Sequence, residues 1–191
     1  MTKDRIKEVA LVQFAEAGFE GTSLSNIASE VGIKKPSIYA HFKGKDDLFL
    51  SLFEDVCKYE LDFVSSFLEE NKNNPLEECL FELLSRYSIR CVNDDNTRFW
   101  IHQSFFPPPH LREIIMSDLY KSLDGIESNL IPIFEKAIVS GEIQEISPDT
   151  AANGYLGILD SLFVESLYGG HTRSKRMLES SWFIYWRGLS K

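Results

Sequence analysis

Lys34, Lys35, His41, Lys43 and Lys45 fall between Gly32 and Lys45, a stretch that holds no aspartate or glutamate. Ser37, Tyr39 and Ala40 stand among them. Ammonium groups and hydroxyls bind phosphate oxygens, and small side chains touch base edges or thymine methyls. The chemistry on offer is recognition of a polyanion, not bond making. Residues 1–50 hold seven Lys/Arg and seven Asp/Glu, so the formal charge of −9 lies wholly in residues 51–191. A basic stretch on an acidic protein is the electrostatic footprint of a nucleic-acid-binding edge. A solvated lysine face would share the composition, so the elements that carry the lysines have to decide.

Those elements are two short helices. Leu24, Ile27, Ala28 and Val31 recur at i, i+3, i+4 and i+7, one apolar stripe of a helix over Ser23–Val31. Thr22 or Ser23 offers the capping hydroxyl. Gly32 supplies the positive φ that closes such a helix. Pro36 suits the first turn of the next one, which carries Ile38 and Phe42. Two short helices across a tight glycine turn make a helix-turn-helix. A first helix over 3–17, with Ile6, Val9, Ala10 and Phe14 on its inner side, completes a three-helix module. Asp46 and Asp47 open a long helix to about Leu68, with acids where the helix dipole favours them. Lys45 at that N-terminus is placed to hold a phosphate.

The stretch resembles the DNA-binding domain of the TetR family of bacterial transcriptional regulators. Gly18 to Ser23, Ile27-Ala28, Val31-Gly32-Ile33, Ser37-Ile38-Tyr39, His41-Phe42 and Lys45 to Leu48 carry the similarity, which covers about the first 55 residues. Lys34 departs from it, because the family commonly caps the recognition helix there with Ser or Thr. The resemblance implies DNA contacts from Thr22, Ser23, Ser25, Lys34, Lys35, Pro36, Ser37, Tyr39, Ala40, His41 and Lys45. It implies a DNA-binding domain over 1–47 and a ligand-binding and dimerisation domain over 48–191. It also implies repression. The two-fold symmetry of a dimer predicts a palindromic operator. The aromatic residues of the later chain predict a small hydrophobic or aromatic inducer, and the acidic charge there favours a neutral or cationic one.

The remaining chain reads as helical throughout, giving an all-α protein of about nine helices: 76–92, a short aromatic segment 98–106 stopped by Pro107-Pro108-Pro109, 110–140 with a bend at Pro132, 149–168, and 172–189. The helix from Asp149 is apolar on two sides, and the last helix carries Trp182, Phe183, Tyr185 and Trp186. That pattern predicts a homodimer through Tyr155, Ile158, Leu162, Trp182, Tyr185 and Trp186, the alternative being a well-covered monomer core. If the family reading holds, the inducer site has walls from Tyr87, Cys91, Trp100, Phe105, Phe106, Tyr155 and Leu159. Its polar anchors are His102, Gln103 and Asp160. The plainer alternative makes the aromatics core and pairs Asp160 with Arg98 or Arg112.

Enzyme chemistry finds no footing. The sequence has no Gly-rich phosphate loop, His-Glu-x-x-His or serine elbow. His41, His102, His110 and His171 are scattered, and we expect neither cofactor nor metal. Cys57, Cys79 and Cys91 are odd in number and widely spaced, which suits reduced thiols in a cytoplasmic protein. No apolar run reaches the roughly 20 residues of a membrane span, and MTKDRIKEVA lacks a signal peptide's apolar region. The competing functional reading is a helical small-molecule-binding or catalytic protein that has lost DNA binding.

Overall fold

The computed structural model describes residues 2–191, apart from the side chain of His171, so that member of the scattered histidines lies outside the description. Nine α-helices and no strand occur among the described residues: α1 (Thr2–Gly21), α2 (Leu24–Val31), α3 (Lys35–Ile38), α4 (Lys45–Glu70), α5 (Leu76–Asn93), α6 (Asp95–Phe105), α7 (Arg112–Ser140), α8 (Pro148–Tyr168) and α9 (Gly170–Leu189). They form two compact units, one of residues 1–59 and 94–120, the other of 60–93 and 121–191. The motif suggested a division at 47/48; packing places the first half of α4, all of α6 and the start of α7 with the N-terminal module.

The first unit is built on phenylalanine. Phe14 of α1 meets Phe49 of α4 edge-on at 4.9 Å, and Phe49 meets Phe99 of α6 in the same way at 5.2 Å. Phe19 adds a second edge contact to Phe49 at 5.1 Å. Edge-to-face rings satisfy the quadrupole as well as burying area. Gly18, at φ 68° and ψ −178°, breaks the helical path of α1 and carries Phe19 toward that cluster. α6 starts on Asp94, whose carboxylate accepts from the Asn96 N–H and from the Tyr59 hydroxyl at 3.1 Å. The prolines then stop it, and Leu111 returns an N–H to the Pro108 carbonyl before α7 begins.

The second unit packs the end of α4 and most of α7 with α5, α8 and α9. Tyr155 of α8 is buried and donates its hydroxyl to the Leu80 carbonyl at 2.9 Å. Tyr185 of α9 donates to the Ala151 carbonyl at 2.6 Å. A Cβ at Gly154 would stand 3.0 Å from the Tyr185 ring, so glycine permits that approach. Pro132 lies inside α7, but the helix runs through it rather than stopping.

Sequence periodicity misplaced part of the inner face of α4. Helical spacing from Leu52 and Val56 predicts Tyr59 and Phe63 on that face, but Tyr59 is exposed while Cys57, Glu60 and Val64 are buried. Glu60 is 0% exposed, and one carboxylate oxygen accepts from the Arg90 guanidinium at 2.8 Å. Arg90 in turn lies over the Phe63 ring, 3.8 Å from its centroid. Taking one member from such a pair leaves an uncompensated buried charge. Arg90→Ala should therefore cost about 3–5 kcal/mol in urea unfolding, whereas a Glu60→Leu, Arg90→Met double replacement should be close to neutral. Equal losses in both variants would show that packing, not charge, sets the cost.

Candidate nucleic-acid interface and regulatory site

α2 forms as its sequence pattern requires. Ser23 is its N-cap and accepts from the Asn26 N–H at 3.1 Å, while Gly32 at φ 78° closes it with N–H bonds to the Ala28 and Ser29 carbonyls. The Ile33 N–H returns to Ala28 at 2.9 Å and fixes the turn into α3. That helix is shorter than periodicity predicts. It ends at Ile38, and a turn rather than a continuing helix brings Phe42 inward, with both His41 and Phe42 donating to the Ile38 carbonyl. At its start Lys34 makes no side-chain cap bond.

The outcome is a presented surface. Ile38 and Phe42 are buried, while Lys34, Lys35, Pro36, Ser37, Tyr39, Ala40 and His41 are all exposed, as is Ser25 on α2. Two expected contact residues face inward instead. Thr22 is 3% exposed, with its hydroxyl 3.0 Å from the Gln13 carbonyl and 2.8 Å from that of Gly18. Lys45 donates to the Thr22 carbonyl at 2.9 Å, and its ammonium lies 4.0 Å from the Phe19 ring centroid. Both tie the α1–α2 corner to the start of α4. Two cations outside the expected contact set join the edge. Lys43 is exposed beside His41, and Lys3 stands 5.5 Å from the Phe42 ring. Position within the basic run could have singled out Lys43; nothing local singles out Lys3.

Residues 6–52 match the profile of a family described as bacterial regulatory proteins, tetR family. The N-terminal module belongs to the TetR family. A Staphylococcus epidermidis relative, the biofilm operon icaADBC HTH-type negative transcriptional regulator IcaR, is 28% identical over 67% of this chain and 64% of its own length. Its Staphylococcus aureus counterpart is 27% identical over 87% of this chain and 82% of its own. Among solved structures, a TetR-family regulator from Cytophaga hutchinsonii aligns with a TM-score of 0.78 at 17% identity, over 99% of this chain and 94% of that one. Bacillus subtilis FadR, solved in complex with stearoyl-CoA, aligns at 0.73 with 22% identity, over 95% and 96%. At these identities the structures establish the fold alone. The N-terminal module is that of TetR-family DNA-binding regulators, and no described helix is long and apolar enough to cross a membrane.

The residues expected to hold a ligand divide between the units. In the first, Trp100 and Gln103 are buried, and Gln103 reaches the His102 ring nitrogen at 3.0 Å. Burial lowers the His102 pKa and so favours its neutral form. Phe105 and Phe106 are exposed, so Trp100 shares no enclosed wall with them. In the second, Tyr87 sits between the Phe63 and Phe163 rings, and burial, then Glu60, pushes its hydroxyl well above the ordinary range. Burial raises the Cys91 thiol to about 11. Leu159 is core, and Asp160 stands on the exposed side of α8, where desolvation still raises its carboxyl. Arg98 pairs with Asp95. The Glu60–Arg90 pair went unrecognised, although both residues fall on otherwise apolar stripes, Val56-Glu60-Val64 and Leu83-Tyr87-Arg90.

Fluorescence anisotropy with the chain's own upstream DNA separates the two kinds of lysine. Lys34→Ala should leave the fold intact and flatten the slope of log affinity against log salt by about 0.9, the value for one phosphate. Lys45→Ala should also cost about 1–2 kcal/mol of stability, from the lost charge-assisted bond and ring contact.

Proposed function

We propose that this regulator is a ligand-responsive repressor: residues 1–47 read a palindromic operator, and 48–191 hold a small hydrophobic or aromatic inducer and a second copy of the chain. The observation that carries the reading is the acid-free exposed run around buried Ile38 and Phe42. Ser25, Lys34, Lys35, Pro36, Ser37, Tyr39, Ala40 and His41 face the DNA, with Ser23 setting the position of α2. Thr22 and Lys45 act mainly by holding the corner that presents them. The negative regulation named for IcaR supports repression, and the stearoyl-CoA complex of FadR supports response to an apolar ligand.

Dimerisation rests on what α8 and α9 leave uncovered. Tyr155, Ile158, Leu162 and Trp182 are buried within the chain, and Tyr185 and Trp186 are half-buried. A partner would add to these the face they leave open, where Phe183 is 57% and Ile184 is 69% exposed and Gly157 would admit a close neighbour. Two-fold symmetry then sets two α3 helices on major-groove faces about 34–36 Å apart, or a multiple of it.

A gel shift on the upstream region tests the reading against the alternative of a helical binding protein without DNA affinity. Light scattering should give twice the 21.9 kDa chain mass. Phe183→Asp with Ile184→Asp should return the monomer and weaken DNA binding at least tenfold. A wild-type chain that runs at 21.9 kDa at micromolar concentration would reject the dimer.

A further inference from the structure

The second unit holds a cavity of about 280 Å³ that none of the expected ligand residues lines. It lies between the end of α4, the start of α5 and the C-terminal half of α7. Its floor is apolar: Leu68, Leu76, Cys79 and Ala137 are all buried. Desolvation there raises the Cys79 thiol above its ordinary range. The pocket opens to the surface and is close to the roughly 300 Å³ at which ligand pockets begin.

The charge at the rim is opposite to that of the chain. Lys72 and Lys136 both line the mouth, within a protein of net charge −9. Lys72 pairs with Glu69, while Lys136 forms no ion pair among the described residues. One acid lines the rim, Glu142, and it is engaged: its carboxylate accepts the Leu76 N–H at 2.6 Å, at the start of α5. A cationic guest would meet two ammonium groups; an anionic one would find a cation with no other partner. The neighbouring amides are already ordered, Asn71 on the Phe67 carbonyl and Asn74 on Asn71.

We propose that this cavity binds a small anionic amphiphile, a carboxylate on a short apolar body, with the carboxylate at Lys136 and Lys72 and the apolar part on the floor. The site is separate from the aromatic residues of α6, and its occupancy does not depend on the chain acting as a repressor.

Isothermal titration of the full chain with octanoate, octanamide and octylammonium below their aggregation concentrations tests it. Octanoate should bind at least fivefold more tightly than octylammonium, with octanamide between them. Lys136→Glu should reverse the order of the two ions. Ile133→Trp, a half-buried position at the mouth, should weaken all three ligands at least tenfold at an unchanged unfolding midpoint. If that variant unfolds, Ser140→Trp on the exposed rim serves the same purpose. Octylammonium binding as well as octanoate, or octanoate binding undiminished by a folded tryptophan variant, would overturn the site.

Discussion

A helix of four residues cannot hold its own shape in water, because helix nucleation costs more than one turn returns. α3 is such a helix, and it has no side-chain cap to help it. Everything that keeps it in place comes from outside: Ile38 and Phe42 buried beneath it, Gly32 and the Ile33 N–H fixing the turn before it, and Asp47 accepting the Lys43 N–H after it. The residues proposed to face DNA are exposed because two apolar anchors leave them no inward option. The module beneath needs support in turn, since some fifty residues bury too little surface to be stable with ease. The Phe14, Phe49 and Phe99 contacts supply it by joining α1 to α4 and α6.

This dependence explains what could be read in the sequence. Period, caps and glycines are local properties, so α2 with Ser23 and Gly32 was legible almost to the residue. The basic run was legible because charge needs no fold to be counted. The length of α3 was not, since periodicity sees Ile38 and Phe42 four apart and cannot tell a helix from a turn that happens to bury both. Thr22 and Lys45 mislead for a different reason. Their types suit DNA, but packing turns Thr22 inward and engages the Lys45 ammonium with the Thr22 carbonyl and the Phe19 ring.

The regulatory half was less legible, and again the reason is physical. An aromatic residue reads alike whether it lines a pocket or fills a core, and only burial separates Trp100 from the exposed Phe105 and Phe106. Tyr155 and Leu162 were read as interface because α8 is apolar on two sides. The helices of its own unit cover that side of α8 instead, and Tyr155 gives its hydroxyl to Leu80. Charged residues on apolar stripes carried more information than the aromatics did. Glu60 and Arg90 break the period of their helices in register with each other, and a buried carboxylate of that kind has to find a cation.

In the proposed ligand response, α4 is the element that carries the effect toward the DNA-binding module, and its anchoring constrains how. Tyr59 and Glu60 are consecutive residues, the last of one unit and the first of the other on this helix. Tyr59 binds Asp94 at the start of α6; Glu60 binds Arg90 near the end of α5. The Tyr59 bond is exposed and cheap to break, while the Glu60 pair is buried and costly to break. Of the two bonds, the Tyr59 one is therefore the one that the proposed response can give up at low cost. The energy required is small, since tenfold release from DNA needs only about 1.4 kcal/mol of differential affinity between the two conformations. That is on the order of one exposed hydrogen bond. In the proposed response a ligand need not unfold anything to act; it has only to favour a state of α4 in which the weaker of two adjacent anchors is lost.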